Sequence, residues 1–175
     1  MTIDPFIGFA VRGALAALML ASAVHKLRDL AGFRQAVEDY RLLPASVSPA
    51  VALFVPLAEA VAGVATLFGS ESGLVATAAL LLLYAAAIAI NLRRGRRTID
   101  CGCLAFGKTG QPIHAGMILR NALLAMLGLA VAFTGIRDRP MLWVDWLGLT
   151  CAIITAALLY AIMEAAMPQT QELKR

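Results

Sequence analysis

Long apolar blocks alternate with short polar segments along the 175-residue chain. The apolar blocks cover about 6–24, 49–68, 74–92, 114–133 and 141–163. Each approaches the roughly 20 residues needed to cross a bilayer. Backbone groups find no water in hydrocarbon, so segments of this composition must satisfy them internally, as helices. The pattern therefore predicts an all-α, polytopic membrane bundle of about five transmembrane helices in a single domain, residues 1–175. "GSESG" predicts a tight polar turn between the second and third spans, and "TGIRDRP" a Gly/Pro-bounded turn before the fifth.

One segment has a different pattern. In "KLRDLAGFRQAVEDYRLLP", Leu27, Leu30, Phe33, Val37 and Tyr40 recur at spacings of three and four, while Arg28, Asp29, Arg34, Glu38 and Asp39 fill the other face. That periodicity predicts an amphipathic helix over about 26–43, ended by Pro44 and lying along the membrane surface, with packing on loops as the alternative.

Composition fits this reading. The chain is 61% hydrophobic and only 15% charged, well below the roughly one-quarter charged residues of soluble domains. The net charge of +4 comes from basic residues flanking the apolar blocks and implies no nucleic-acid partner. "MTIDPF" lacks the positive n-region of a cleavable signal, so the first block is expected to be retained as a span. Three cysteines are too few for a disulfide-rich scaffold.

Basic residues also set the expected orientation. Lys26, Arg28, Arg34, Arg41, Arg93, Arg94, Arg96, Arg97, Lys108, Lys174 and Arg175 fall on one side and Arg137 and Arg139 on the other, eleven against two. Positive loops stay inside, so the expectation is a bacterial inner-membrane protein with its N-terminus outside and its C-terminus cytoplasmic.

The loop at about 93–113 carries the candidate chemistry: "RRGRRTIDCGCLAFGK" sets Cys101 and Cys103 one glycine apart beside four arginines. The stabilisation a disulfide gives grows with the loop it closes, so a Cys101–Cys103 bond contributes little as a staple. Gly102 eases the sharp bend that would bring the sulfurs together, and a strained ring is readily reduced. Nearby cations favour the reactive thiolate; Arg96, Arg97, Lys108 and Arg120 act that way, and Asp100 acts against it. A redox-active pair is one reading. Thiolate binding of a soft metal ion by Cys101 and Cys103 is a second, although a closed zinc site needs about two more ligands and only His25, His114 and Cys151 are of the right type. An inert pair in a non-catalytic scaffold is a third. No cofactor is implied beyond the disulfide itself.

Four ionisable residues lie within the apolar blocks: Arg12, Glu59, Arg120 and Asp145. Such groups are costly and normally pair in the protein interior. Counting along ideal helices, Glu59 lies roughly 14 Å and Arg120 roughly 11 Å from the same side, which suggests one pair. Arg12 with Asp145 near the other side suggests a second. The pairs either lock helices together or, for Glu59 and Arg120, border the thiol site and handle protons. His25, Asn91 and His114 are expected at span ends as polar caps, and Cys151 as a packed small residue. Trp143 and Trp146 fit an interfacial aromatic belt.

The stretches "ASAVHKLRDLAGFRQAVEDYRLLP", "PLAEAVAG", "NLRRGRRTIDCGC" and "ILRNALLAMLG" resemble the methylamine utilisation protein MauE family, within the wider DoxX-like group of small membrane proteins. The resemblance covers nearly the whole chain. It is most specific at Lys26, Tyr40 to Pro44, Glu59, Cys101-Gly102-Cys103 and Arg120-Asn121. The chain departs from the family where Leu104 and Ala105 follow CGC in place of the frequent Phe-Gly, which bears on the loop's geometry. The resemblance implies a role in maturation of periplasmic methylamine dehydrogenase, whose small (β) subunit needs many disulfides and a tryptophan-derived quinone. It implies a thioredoxin-like, MauD-like partner. The residues expected to carry the function are Cys101 and Cys103 as the redox pair, Arg120 tuning the thiolate and Glu59 handling protons. A periplasmic client conflicts with a cytoplasmic CGC loop unless the loop re-enters the membrane, the protein passes electrons between the two sides, or the orientation is reversed.

Overall fold

The computed structural model describes residues 2–96, 113–136, 139–140 and 142–151. Its helices are α1 (Pro5–Arg28), α2 (Leu30–Tyr40), α3 (Ser48–Leu67), α4 (Glu71–Arg93) and α5 (Ala115–Phe133). A further helical stretch covers 143–151. α1, α3, α4 and α5 are each long and apolar enough to cross a membrane. The expected helical membrane bundle is thus observed, with four spans among the described residues; of the expected fifth span, 141–163, the described part is 142–151.

Local sequence explains the boundaries. Asp4 caps α1 by accepting a hydrogen bond from the Phe6 amide at 3.0 Å, with Pro5 at the first helical position, where a missing N–H costs nothing. The α3–α4 connection is the expected polar turn. Gly69 takes φ +85°, the Ser70 amide bonds back to the Ala65 carbonyl at 3.0 Å, and Ser70 Oγ accepts from the Gly73 amide at 3.3 Å. A Cβ at Gly73 would come within 2.5 Å of the Thr66 backbone nitrogen, so only glycine lets the two helices close this tightly.

The helix at 26–43 is corrected by the structure. α1 continues to Arg28, and Asp29 breaks the chain by accepting from the Gly32 amide at 2.8 Å. α2 begins only at Leu30. Lys26 therefore belongs to the transmembrane helix and is buried, while Leu27 and Leu30 are exposed. α2 packs on α3 and ends with Tyr40 buried against Ile88 of α4 and Ile113, and Arg94 Nη1 donates to the Arg41 carbonyl at 3.2 Å. Its polar face carries the i,i+4 pairs Arg34–Glu38 and Gln35–Asp39. The amphipathic pattern thus reports a helix laid on the bundle wall, one face on protein and the other polar.

The core forms where α1 and α3 pack as one pair and α4 and α5 as another. Leu15, Met19, Leu74, Ala78, Leu81 and Ala125 fill the centre. The hydroxyls of Thr66 and Thr77 bond across α3 and α4 at 3.2 Å. At the opposite end of the bundle from α2, Thr2–Ile3 pairs in parallel with Gly135–Ile136.

The expected Arg12–Asp145 pair does not form. The buried Arg12 guanidinium donates to the Gly69 carbonyl, placing its charge at the C-terminal end of α3, where the helix dipole favours a cation. Asp145 instead binds Arg139 at 2.7 Å, and Arg139 also holds Asp4 at 2.9 Å. Arg139 lies outside the apolar blocks, where a charge carries no pairing signal in the sequence. It bridges the start of α1 to the helix at 143–151. The same contact holds the Asp4 carboxyl below the usual carboxylate range and raises the Arg139 guanidinium further.

Candidate functional site

The arrangement begins with a stripe on α1. Arg12, Leu15, Met19, Ser22 and Lys26 follow one another at spacings of three and four, and all are buried. The stripe is apolar in the middle and polar at both ends. At the α2 end it delivers Ser22 and Lys26 to Glu59 of α3 and Tyr84 of α4.

These four side chains form one network. Lys26 Nζ makes a direct ion pair with Glu59 Oε1, the ammonium being 1% and the carboxylate 0% exposed. Lys26 Nζ donates to Ser22 Oγ at 2.9 Å, Ser22 donates to Glu59 Oε1 at 3.0 Å, and the Tyr84 hydroxyl donates to the same oxygen at 2.6 Å. The ammonium also lies 4.8 Å from the Tyr84 ring centroid and 5.1 Å from that of Phe33, within cation–π range. Three donors converge on Oε1, while Glu59 Oε2 is buried without a hydrogen-bond partner. A half-satisfied buried carboxylate is uncommon in a folded protein.

Two members of the network, Lys26 and Tyr84, adjoin a cavity of about 170 Å³ between α2, α3 and α4. Lys26 and Tyr84 line it together with Phe33, Val37, Tyr40 and Val55, and the wall is almost wholly apolar.

This geometry overturns the expected Glu59–Arg120 pair. Arg120 is exposed on α5, and its Nη2 approaches Asn121 Oδ1 at 3.4 Å. Matching depth favoured Arg120, but α1 packs on α3 and extends one turn further than its apolar block, which brings Lys26 to the carboxylate. The sequence held the needed signal in the 3–4 spacing that continues from Leu15 through Ser22 to Lys26. Tyr84 carried no such signal; a lone tyrosine in an apolar span is unremarkable until a partner faces it.

Cys101 and Cys103 lie outside the described residues, as do Arg97, Asp100 and Lys108. The flanks of that segment are described. α4 ends at Arg93, and Ile113 returns to the bundle beside Ile88 and Tyr40, at the same end as α2. His25 and His114 are exposed and Asn91 is buried. Among the described residues no three His, Cys, Asp or Glu side chains come together as a metal site. Cys151, the last described residue of its segment, is exposed and free, contrary to the packed position expected of it. Trp143 and Trp146 are exposed, as an interfacial belt requires.

Comparison with known proteins places these residues in a family. No solved structure matches the chain. A protein named methylamine utilization protein MauE from Paracoccus denitrificans is 43% identical over 132 residues, covering 74% of this chain and 70% of the relative. The protein of that name from Paracoccus versutus is 40% identical over 131 residues, with the same coverage. The one from Methylophilus methylotrophus is 35% identical over 134 residues, covering 75% and 70%. The family profile described as methylamine utilisation protein MauE matches residues 4–134. The match includes Lys26, Glu59, Tyr84, Cys101, Cys103 and Arg120, and stops short of the expected fifth span, so the likeness is narrower than the near-complete coverage expected from the motifs. The chain therefore belongs to the MauE family of methylamine utilisation proteins.

Proposed function

We propose that this multi-pass membrane protein supports disulfide formation in the small subunit of methylamine dehydrogenase by thiol–disulfide exchange through Cys101 and Cys103, working with a thioredoxin-like, MauD-like partner in the bacterial inner membrane. Family membership supports the client, and the CGC dithiol supplies the chemistry. In the exchange, a thiolate of one cysteine attacks a sulfur of the partner's disulfide, and the other partner sulfur leaves as thiolate. The second cysteine then attacks the mixed disulfide. The products are a Cys101–Cys103 disulfide and a reduced partner; the reverse sequence oxidises the partner. Arg120 and the loop arginines favour the thiolate.

The observation that carries this reading is the CGC motif within a matched MauE region whose flanks, Arg93 and Ile113, both root at the α2 end. The test is the thiol content of the methylamine dehydrogenase small subunit in cells lacking this protein and resupplied with it. Wild type should restore full oxidation, whereas Cys101→Ser/Cys103→Ser should leave free thiols. Equal restoration by both would favour a non-catalytic scaffold.

Orientation follows from charge. With Lys26 assigned to α1, the bias is still ten basic residues against two. Alkaline phosphatase fused after Arg175 should be inactive, and a fusion at 137–139 active. The opposite pair of results would reverse the orientation and put CGC on the periplasmic side. With CGC on the cytoplasmic side, the protein carries electrons between soluble dithiols of the two compartments.

A further inference from the structure

We infer that Arg41 and Arg94 form a binding site for the phosphodiester head group of an anionic membrane phospholipid. The inference stands on the meeting of two helix ends and does not require the thiol chemistry proposed above.

Both arginines sit on fixed backbone. α4 stops in a closed turn: Gly95 takes φ +73°, its amide donates to the Leu92 carbonyl at 3.1 Å, and the Arg96 amide donates to the Asn91 carbonyl at 3.1 Å. α2 ends at Arg41, which takes φ +46° with its amide on the Glu38 carbonyl at 3.0 Å. Tyr40, buried against Ile88, holds this end of α2 on α4. Arg94 Nη1 then donates to the Arg41 carbonyl at 3.2 Å, which brings two arginines from separate elements to one place on the surface. Both are exposed.

The place carries positive charge without a counter-charge. Among the described residues neither arginine makes an ion pair. The acids nearest in sequence to Arg41 are engaged elsewhere: Asp29 accepts from the Gly32 amide, Glu38 binds Arg34 and Asp39 binds Gln35. A guanidinium has five N–H donors, and the Arg41 carbonyl takes one of those on Arg94. The donors that remain form a planar fork that fits phosphate oxygens in bidentate contact.

Depth selects a lipid as the source of the phosphate. Ile90, four residues before Arg94 on α4, is an exposed apolar side chain, and so is Leu43, two residues after Arg41. On a membrane-spanning helix such residues face hydrocarbon, and Arg94 lies roughly 6 Å further along the axis. That step leads from the acyl region to the head-group layer. A soluble acid reaching the pair there would have to displace lipid phosphates already at that level.

The test is a lipid titration of the whole purified protein in detergent, read by native mass spectrometry. An arginine beside an anionic lipid surface contributes roughly fivefold to binding. Phosphatidylglycerol should therefore bind at least about tenfold more tightly than phosphatidylcholine with the same acyl chains. Arg41→Gln/Arg94→Gln should bring the two lipids to within about twofold, and each single variant should lose part of the preference. Arg28→Gln/Arg34→Gln removes the same formal charge from the same end and should keep the preference. All four side chains are exposed, so both double variants should melt with the wild type in lipid-free detergent. Absence of a preference in the wild type would overturn the assignment. Equal losses in the two double variants would do so too, by showing a diffuse field in place of a site. Displacement of the lipid by an equal concentration of glycerol 3-phosphate would overturn it in favour of a site for a soluble phosphate.

Discussion

Glu59→Leu is expected to destabilise the bundle by about 3–5 kcal/mol, because it strands the Lys26 ammonium in the interior without its carboxylate. The cost arises from geometry: Lys26 and Glu59 are both essentially unexposed, and the loss also leaves Tyr84 and Ser22 without their shared acceptor. Lys26→Met should cost a similar amount for the mirror reason. The double variant Lys26→Met/Glu59→Leu should recover most of the loss, since apolar replacement of a buried pair is often neutral. Thermal unfolding of the purified single and double variants checks this through a double-mutant cycle. Additive losses would mean that the two residues do not interact. Arg120→Gln, by contrast, should leave stability nearly unchanged, because the guanidinium is exposed and holds no carboxylate among the described residues.

The second large effect is chemical. Replacing either Cys101 or Cys103 with serine removes the thiol that resolves the mixed disulfide, so the remaining cysteine should be stranded in a covalent complex with its thioredoxin-like partner. A reductant-sensitive adduct should appear on non-reducing gels for at least one single variant and vanish in the double variant. Bundle stability should change little, since a ring closed by three residues constrains the unfolded chain hardly at all. Neutralising Arg96 and Arg97 should slow adduct formation by raising the thiol pKa. If these arginines serve orientation alone, the slowing would be absent and misinsertion would rise instead.

The bundle was legible in the sequence because apolar run length is a direct physical requirement of the bilayer. Four expected blocks coincide with helices, and the GSESG turn falls at the expected place. Boundaries were less legible. Polar residues at a span end read as loop, although Lys26 can remain helical and buried once a carboxylate awaits it. That single displacement misassigned the partner of Glu59, since depth along a helix gives one coordinate and pairing needs the direction of the side chain as well. Arg12 shows the same limit: its partner is a backbone carbonyl at a helix end, which no search for opposite charges can find. The cavity was invisible for a related reason. It depends on α2 folding back over α3, and the periodicity of Phe33, Val37 and Tyr40 states that one face is covered without stating by what.

Thiol–disulfide exchange requires that Cys101 and Cys103 cycle between dithiol and disulfide. Its most direct test is acid quenching of cells followed by alkylation of free thiols and mass measurement of the 97–112 region, with and without the thioredoxin-like partner. The account predicts a mixture of reduced and disulfide forms whose ratio shifts clearly when the partner is deleted. Two thiols that stay fully reduced in both strains, with about one equivalent of soft metal ion copurifying through the cysteine pair, would contradict it and establish thiolate metal binding instead.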